Sequence, residues 1–571
     1  MAVTQAEVAK LYVATFNRAP DAAGLNYWTN SSGLSIEGIA QSFFDQSETQ
    51  TLYPTSTSNN SFVTSVYDNL FNRTPDTAGL NYWVNELNNG NISKQNFILA
   101  VINGALGDDA TILTNKQTVG LDFVSKGLDD VTLARSVMAN VDATQTSVDS
   151  ALDLIDSGSN TPVISGIQLI STSSSGVQGN ISTSQAPSIS ADGRYIVFES
   201  SAYNLVDRDT NNKSDIFLKD TLTGATTLVS TSSSGTQGNN HSSNPYISAD
   251  GKHVVFESEA SNLVDGDTNG YGDIFIKDIQ TGVITLVSTS SSGVQGIFDS
   301  SNPSISADGK YVVFDSFSSN LVDGDTNDTL DIFLKDIQEG TLTLVSTSSS
   351  GIQGTRYYSS QNPSISADGR YVAFESQAAN LVSGDTGVWQ DIFLKDIQTG
   401  ETTLVSASSS GSQEWHDSYN PSISADGRYV IFERYTSGYK RDIFLKDTQT
   451  GALTMVSTSS SGEVGNDVSY TSSISADGRY VTFGSTASNL VSGDTNGYGD
   501  IFLKDTQTGT TILVASASSS GDLGNGYSSP SISGDGSNIA FVSGALVYDG
   551  GGELSAHWEY EIFLVGINGL F

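Results

Sequence analysis

Cysteine is absent from this chain of 571 residues, and histidine occurs only four times. Without cysteine there is no disulfide framework and no thiol chemistry, although this absence does not choose a compartment. Basic residues are also scarce, since 25 Lys and Arg stand against 63 Asp and Glu and give a net charge of −38. Because phosphate binding takes clustered Lys and Arg, this balance argues against DNA or RNA as a partner. A cationic partner fits better.

Long apolar segments are missing as well, so the sequence predicts no transmembrane helix. The first residues lack the basic start and the apolar run of a secretory signal peptide. Three explanations stay open at this point: a cytosolic protein, export by a route that reads an uncleaved signal, or a chain trimmed at its start.

What the chain has in abundance is a repeat of about 58 residues, a length too short to bury a core alone. Its most regular feature is a Ser-Ala-Asp-Gly turn, which becomes Ser-Gly-Asp-Gly in the last copy. The aspartate of this turn recurs at Asp192, Asp250, Asp308, Asp368, Asp426, Asp477 and Asp535. Seven tandem copies must therefore share their cores with their neighbours.

Each copy is typical of four short strands. In the third copy the small strand at Pro303–Ser306 precedes the Asp-Gly hairpin signal, and an apolar run follows at Tyr311–Phe314. Asp331–Asp336 and a Thr- and Ser-rich strand complete the unit. Apolarity falls from the first strands to the last, which is the profile of a propeller blade. We therefore expect an all-β propeller of seven blades over residues 163–571.

The ends of this region are offset by one strand. The outer-strand motif Leu-Ile-Ser-Thr-Ser-Ser-Ser-Gly begins at Leu169, before the first complete copy, whereas the last copy ends at Phe571 without that motif. We expect residues 168–172 to pair with residues 561–564, so that the first strand closes the ring and leaves no free edge.

Residues 1–157 are predicted to form a small all-α domain with an internal duplication. The segment from Asn17 to Trp28 returns from Asn72 to Trp83, and Thr4 with Glu7 is a capping-box signature. Helical patterns are also expected near residues 93–106 and 130–155. The repeated tryptophans and arginines, at Trp28, Trp83, Arg18 and Arg73, have two interpretations. They could form a surface site for a sugar or lipid headgroup. The favoured interpretation is that the tryptophans fill a helical core and the arginines cap or pair with Asp21 and Asp76.

The repeated motif Asn-Arg-x-Pro-Asp-x-Ala-Gly-Leu-Asn-Tyr-Trp resembles the helical domain of unknown function found in secreted bacterial RTX-type and surface-layer proteins. In some surface-layer proteins such a region anchors the lattice to cell-surface polysaccharide. The resemblance implies export to the outside or the surface of the cell, by a type I system without a cleaved leader.

The Ser-Ala-Asp-Gly-Arg/Lys-Tyr pattern resembles the TolB-type, WD40-like propeller repeat of bacteria. Propellers of this kind include binding platforms, periplasmic scaffolds and domains of peptidases, so the resemblance implies a fold and no particular function.

The loops after the second strand carry the sharpest motif. In the second copy it matches D-x-D-x-N-G-x-x-D and spaces oxygen donors as a calcium loop does. The candidate ligands are Asp207, Asp209, Asn211 and Asp215 in the first copy; Asp265, Asp267, Asn269 and Asp273 in the second; Asp323, Asp325, Asn327 and Asp331 in the third; and Asp494, Asn496 and Asp500 in the sixth. The other copies lose the pattern, and no bidentate Glu follows it, so weak calcium sites are expected. The alternative is a solvated acidic turn that bonds to its own backbone.

Aromatic residues gather in the long loops, which the strand order places on one face. They are Tyr271, Phe298, Tyr357, Tyr358, Trp389, Trp415, Tyr419, Tyr470, Tyr498 and Tyr527. They are typical of a surface for a partner or a glycan. Alternatively, they cover the backbones of their own loops.

Catalysis is not expected. The four histidines, His241, His253, His416 and His557, have no metal-type spacing, and no G-x-S-x-G nucleophile motif occurs. We therefore expect an exported, non-catalytic bacterial surface protein: a helical module that anchors or assembles, and a calcium-stabilised propeller that binds a surface protein, a glycan or further copies of itself in a surface layer. The alternative hypothesis is a secreted calcium-dependent propeller hydrolase of the lactonase or phytase kind.

Overall fold

The computed structural model describes residues 3–53, 57–126, 131–139, 141–145, 147–148, 151–152, 155, 163–164, 167–180, 185–207, 209–385, 387, 389–413, 415–436, 440–492, 494, 498–515, 527–548 and 556–568. Its first part is helical and its second part consists of sheets, which confirms the predicted fold class of an all-α region followed by a seven-bladed propeller.

The described helices begin where the sequence places polar caps. They are α1 (Gln5–Phe16), α2 (Ala22–Asn26), a π-helical turn (Tyr27–Ser31), α3 (Ile36–Phe44), α4 (Ser47–Leu52), α5 (Asn59–Phe71), α6 (Thr77–Asn88), α7 (Lys94–Gly104), α8 (Asp108–Ser125) and α9 (Val131–Ala139). Thr4 and Glu7 form the predicted capping box before α1. Asp21 and Asp76 accept hydrogen bonds from the N–H groups of Gly24 and Gly79 and so cap α2 and α6.

The duplicated arginines are part of the helical packing. The Arg18 guanidinium lies 5.1 Å from the ring centre of Tyr12 and donates two hydrogen bonds of 3.0 Å to Glu48. Arg73 repeats this arrangement on a different carboxylate, Asp109. The sequence predicted Asp21 and Asp76 as partners. In the structure both are helix caps, and Arg18 approaches Asp21 only at 3.7 Å.

Trp28 and Trp83 pack, half-buried, against the helical core. Trp28 meets Phe43 edge-on with 5.3 Å between ring centres, and Trp83 donates a hydrogen bond of 3.2 Å to the Tyr67 hydroxyl. The structural interpretation of these aromatic residues therefore holds for both copies of the motif.

Blades one to six are sheets of four antiparallel strands in chain order. Blade one contains β3 (Gln185–Ile189), β4 (Tyr195–Ser200), β5 (Asp215–Asp220) and β6 (Thr226–Leu228); blade two contains β7 (Ser242–Ile247), β8 (His253–Ser258), β9 (Asp273–Asp278) and β10 (Ile284–Leu286). Blade three contains β11 (Ser300–Ile305), β12 (Tyr311–Ser316), β13 (Asp331–Asp336) and β14 (Leu342–Leu344); blade four contains β15 (Ser360–Ile365), β16 (Tyr371–Ser376), β17 (Asp391–Asp396) and β18 (Thr402–Leu404). Blade five contains β19 (Ser418–Ile423), β20 (Tyr429–Tyr435), β21 (Arg441–Asp447) and β22 (Leu453–Met455); blade six contains β23 (Ser469–Ile474), β24 (Tyr480–Ser485), β25 (Asp500–Asp505) and β26 (Thr511–Ala515).

Blade seven contains β27 (Tyr527–Ile532), β28 (Asn538–Tyr548) and β29 (Ala556–Asn568). Two short strands that precede blade one, β1 (Val163–Ile164) and β2 (Gln168–Leu169), both pair with β29. In each blade the second and third strands stack a phenylalanine pair, such as Phe198 and Phe217 with 5.9 Å between ring centres. These rings lie in the apolar layers that neighbouring blades share.

The seven Ser-Ala-Asp-Gly or Ser-Gly-Asp-Gly turns form a circuit of backbone hydrogen bonds. In each bond an N–H of one turn donates to a carbonyl of the next turn along the chain. The pairs are Ala191 to Ala249, Asp250 to Ala307, Ala307 to Ala367, Ala367 to Ala425, Ala425 to Ala476, Ala476 to Gly534, and Asp535 back to Ala191. Blade seven is therefore bonded directly to blade one.

The offset strand pairs in the expected register. Gln168 lies opposite Leu564 and Leu169 opposite Phe563. On its other side this segment is bonded to blade one, where Lys219 Nζ donates to the carbonyl oxygens of Thr172 at 3.1 Å and Ser173 at 3.2 Å. That β2 closes the ring as the outer strand of blade seven stays a prediction, and these contacts support it.

By its contacts the chain divides into two units, Met1–Ser165 with Ile567–Phe571, and Gly166–Gly566. The sequence-based division put 163–571 into the propeller. The difference arises because β1 pairs with the end of β29, where Val163 lies opposite Asn568 and Ile164 opposite Ile567.

No single described helix is both long enough and apolar enough to span a membrane. α7 and α8 pass that test only as a pair, and they bend by 106° at the break between them.

Candidate functional site

The long loops of the propeller meet at one end of the blades, which we call the loop face. Each blade contributes the loop between its second and third strands and the loop that leads to the next blade. Backbone bonds join the two sets, as where the N–H of Ser300 donates to the carbonyl of Gly272 at 2.8 Å. This confirms that both loop sets emerge on the same side, as the strand order requires.

In blades one to three, a glutamine side chain that was not among the predicted site residues binds the predicted calcium loop. In blade two, Gln295 Nε2 donates to Asp267 Oδ1 at 2.7 Å and to Asp273 Oδ2 at 2.8 Å. Asn269 adds a hydrogen bond of 2.9 Å to Asp273 and another of 3.0 Å to the Gly296 carbonyl. We call this arrangement the amide clamp, because one amide joins the loop, the third strand and the outer turn.

The same glutamine contacts occur in blades one, three and four. The glutamine always lies in an outer turn of the sequence Ser-Ser-Ser-Gly-x-Gln. Gln237 bonds to Asp209 and Asp215 at 2.8 and 2.9 Å, Gln353 to Asp325 and Asp331 at 2.8 and 3.0 Å, and Gln413 to Asp385 and Asp391 at 2.8 and 2.9 Å. A glutamine recurring two residues after the glycine is the signal that could have revealed this arrangement.

Burial sets the electrostatics of the clamps. It raises the pKa of Asp215, Asp273, Asp331 and Asp391 to about 6, while hydrogen bonds from serine and amide groups act in the opposite direction. Each of these aspartates also accepts from a buried outer-strand serine, as Asp331 does from Ser346 at 2.6 Å.

The predicted ligands separate into buried and exposed sets. The first aspartates of the motif, Asp207, Asp265 and Asp323, are exposed and stay outside the clamps. Asp494 and Asp500 of blade six are buried, and Asn496 lies outside the described residues.

Calcium takes six to eight oxygen ligands. In blades one to four, however, the two carboxylates that each clamp contacts face amide N–H groups. Among the described residues, no three carboxylate or imidazole groups come together in a way that could hold a metal ion. The donor set of these loops therefore does not fit calcium, and calcium binding stays a prediction that the geometry does not favour.

Exposed aromatic side chains surround the clamps on the loop face. Trp415 is 75% exposed and Tyr357 is 80% exposed, and the remaining exposed members of the predicted set are Tyr271, Phe298, Trp389 and Tyr498. Tyr358, Tyr419 and Tyr470 are half-buried, and the side chain of Tyr527 lies outside the described residues. Phe317 and Tyr203, each 50% exposed, were not predicted.

The loops that carry these aromatics are fixed by their own polar groups. The N–H of Gly272, beside Tyr271, donates to Asp299 at 2.8 Å, and the N–H of Gln390, beside Trp389, donates to Asp417 at 2.8 Å. The aromatic rings are thus not required to shield the backbones of those loops, which was the alternative interpretation.

A row of acidic residues behind the inner strands was also not predicted from the sequence. Near the ends of the second strands of four successive blades lie Glu257, Asp315, Glu375 and Glu433. Each accepts a hydrogen bond from the asparagine of its own first strand at 2.9–3.1 Å. The signal for them was an acidic residue at the same place in each apolar strand.

Two of these first strands bend so that a backbone N–H also donates to the carboxylate of the preceding blade. Asn362 and Asn420 have φ angles of 52°, and their N–H groups reach Asp315 and Glu375 at 3.1 and 2.6 Å. The strands enclose a central cavity of about 260 Å³ lined by asparagine, proline, serine, threonine and one tyrosine, Tyr246. Its described wall carries no charged side chain.

The described histidines lie in unrelated surroundings. His241 Nδ1 accepts from the N–H of Ser214 at 3.1 Å on the loop face. His253 lies at the opposite end of its blade, against Gly309, and His416 is exposed in the loop before blade five. The side chain of His557 lies outside the described residues.

The comparisons with known proteins agree with these two parts. Residues 40–105 match the family described as "Domain of unknown function (DUF4214)". The helical domain predicted from the repeated motif is thus confirmed, and its description assigns no activity. None of the curated proteins compared with the chain matches it.

Several solved structures resemble the propeller. A TolB protein from Agrobacterium tumefaciens is 17% identical, with a TM-score of 0.33, over 48% of this chain and 80% of its own. TolB from Acinetobacter baumannii is 15% identical, with a TM-score of 0.33, over 68% and 71%. An oligogalacturonate lyase in complex with manganese is 13% identical, with a TM-score of 0.45, over 71% and 96%. At sequence identities and TM-scores this low, the likeness concerns the fold alone and says nothing about the activity or partner of this chain.

Proposed function

We propose that this chain is a non-catalytic binding protein exported to the bacterial cell surface, and that the loop face of its propeller is where the partner binds. The observation that carries the proposal is the set of exposed aromatic side chains on loops that are already fixed by hydrogen bonds. Rigidly presented aromatic rings contribute large contact areas at little entropic cost. Export rests on the resemblance of the repeated helical motif to domains of secreted and surface-layer proteins.

The partner chemistry follows from what surrounds the rings. The loop face carries many carboxylates beside its aromatics, including Asp299, Asp417 and the exposed Asp207, Asp265 and Asp323. A neutral or basic surface is therefore preferred over an acidic one. A surface glycan, another surface protein and a second copy of this chain are the candidate partners, and the helical part supplies anchoring or assembly.

The test compares two loop-face variants with a control on the opposite side of the propeller. Trp389→Ala and Trp415→Ala are expected to weaken binding of the intact chain to isolated cell-envelope polysaccharide, or to lower its self-association in sedimentation velocity, by about tenfold each. Leu222→Ala is the matched control, since Leu222 is 72% exposed on a turn at the other end of blade one. Equal behaviour of all three variants in both assays would contradict the proposal.

Hydrolysis remains the alternative hypothesis. The two hypotheses differ in one measurement, because a secreted hydrolase would turn over an ester or a phosphoester and a binding protein would not.

A further inference from the structure

The buried aspartates of the loop face meet an amide at the position where the sequence predicts a cation. We infer that in blades one to four the glutamine side chain, and not a bound divalent ion, cross-links the loop after the second strand to the outer turn of the same blade. The inference does not depend on what the loop face binds.

The hydrogen bonds of the glutamine fix the direction of its amide. In blade three, Gln353 Oε1 accepts from the N–H of Thr326 at 3.1 Å while Nε2 donates to Asp325 and Asp331. A backbone N–H can only donate, so it requires the oxygen of the amide on its side and leaves the nitrogen facing the carboxylates.

The same orientation recurs in two more blades. The N–H of Thr210 donates to Gln237 Oε1 at 3.1 Å, and the N–H of Thr268 donates to Gln295 Oε1 at 3.2 Å. In all three blades both hydrogens of one amide are thus directed at two carboxylates. A divalent ion at this point would face two amide hydrogens and would have to displace the side chain that carries them.

Blade five shows what happens where the glutamine is missing. Its outer turn carries Val464 at that position, and its shortened loop has lost one aspartate. Lys440 replaces the glutamine as the link between the third strand and the outer turn. Its ammonium lies 3.1 Å from Asp442 and donates a hydrogen bond to the carbonyl of Gly465.

The offset strand follows the same rule. Gln178, in the turn after β2, donates to Glu561 at 3.1 Å. In blades five and seven the third-strand carboxylate, Asp442 or Glu561, thus also lies against an N–H donor of the chain itself.

The experiment changes the chemistry of one clamp. Gln353→Glu replaces the donor amide with a third carboxylate beside Asp325 and Asp331, which removes two hydrogen bonds and adds like charge. The matched control is Gln338→Glu, at an exposed position of the same blade. Melting temperatures of the intact chains are compared in a chelator and in millimolar calcium.

The wild-type chain and Gln338→Glu are expected to melt within about 1 °C of the same temperature in both buffers. Gln353→Glu is expected to melt about 5 °C lower in the chelator and to recover part of that loss in calcium, since the substitution completes an oxygen site. A Gln353→Glu variant that melts within about 1 °C of the wild-type chain in the chelator would overturn the inference.

A second measurement does not require the variant to fold. The wild-type chain is dialysed to equilibrium against buffer that contains millimolar calcium and salt of physiological ionic strength. The excess of calcium on the protein side, determined by elemental mass spectrometry, gives the number of bound ions and also detects weak sites. At most about one ion per chain is expected, because the four clamped loops have no vacancy for one. About two or more ions per chain would overturn the inference.

Discussion

At the scale of single residues, glycines set how closely neighbouring blades approach. Gly369 ends the Asp-Gly turn of blade four with a φ of 75°, and the ring of Tyr311 from blade three lies against it. Each turn glycine in the series meets a side chain of the preceding blade in this way, and in blade one that side chain is Asn538 of blade seven. The Asp-Gly signal thus does more than turn the chain, because its glycine also leaves room for the neighbour.

Gly369→Ala is expected to destabilise the propeller in two ways. The left-handed backbone costs any other residue about 1–2 kcal/mol, and the new methyl group overlaps the Tyr311 ring, which adds about 1–3 kcal/mol. Gly340→Ala is the control, since Gly340 has a φ of 69° and nothing within 4 Å of the added carbon. Chemical denaturation should show a clearly larger loss of unfolding free energy for Gly369→Ala. Equal losses would mean that the ring moves aside without cost.

At the scale of elements, buried lysines bind the outer strands of blades one to five to the next blade. Lys335 on β13 donates to the carbonyl oxygens of Thr289 at 2.9 Å and Ser290 at 3.1 Å in the turn that ends blade two. Lys219 makes the equivalent contacts with the segment that follows β2. The segment after β2 therefore makes the same lysine contacts with blade one that an outer strand makes with the blade after it.

Lys219→Met and Lys335→Met test whether both contacts carry the same weight. Each substitution leaves buried carbonyl groups without their donor, and each should lower the unfolding free energy by about 1–3 kcal/mol. Lys252→Met is the control, since its side chain is 59% exposed and its ion pair with Asp250 contributes about 1 kcal/mol or less. If Lys219→Met behaved like the control while Lys335→Met did not, closure of the ring by the first strand would be wrong.

At the scale of the whole molecule, the net charge of −38 and the buried carboxylates act together. Burial raises the pKa of Glu257, Asp315 and Glu375. The folded chain therefore binds protons more readily than the unfolded chain as the pH falls from neutral to about 4. The free energy of unfolding rises over that range, because protonation removes the cost of burying these carboxylates in their charged form. Protonation also lowers the repulsion among surface carboxylates.

Other aspartates limit this gain on the acid side. Arg370 and Arg428 hold the pKa of Asp396 and Asp447 at about 2, below the ordinary value of 3.8. The stability that these pairs contribute is present above about pH 4 and is lost as the pH falls towards 2. Melting temperatures at low protein concentration should therefore rise from pH 7 to a maximum near pH 4–5 and fall below it. A steady decline from pH 7 downwards would contradict this account.

Local patterns determined the fold class, because turn chemistry and strand apolarity repeat with every blade. The Asp-Gly turns and the apolar second strands could be predicted residue by residue, and so could the duplicated helices with their caps. The helix α8 was not predicted from the sequence. Buried Lys116 and Gly120 occupy inward positions between Leu113 and Phe123, so the apolar stripe of that helix is interrupted in the sequence.

The site divided differently between sequence and structure. Spacing alone brought two aspartates of each clamp together and wrongly added the exposed Asp207, Asp265 and Asp323. It could not show the glutamines that bind the clamped aspartates, since each glutamine lies 22 residues from the third-strand aspartate and 28 from the loop aspartate. These glutamines are Gln237, Gln295, Gln353 and Gln413. Whether a cluster of carboxylates faces a cation or a hydrogen-bond donor depends on which side chain the fold places opposite them. The sequence by itself determined the repeating sheets. Only the tertiary structure decided which side chain donates hydrogen bonds to the loop aspartates, because that contact joins residues distant along the chain.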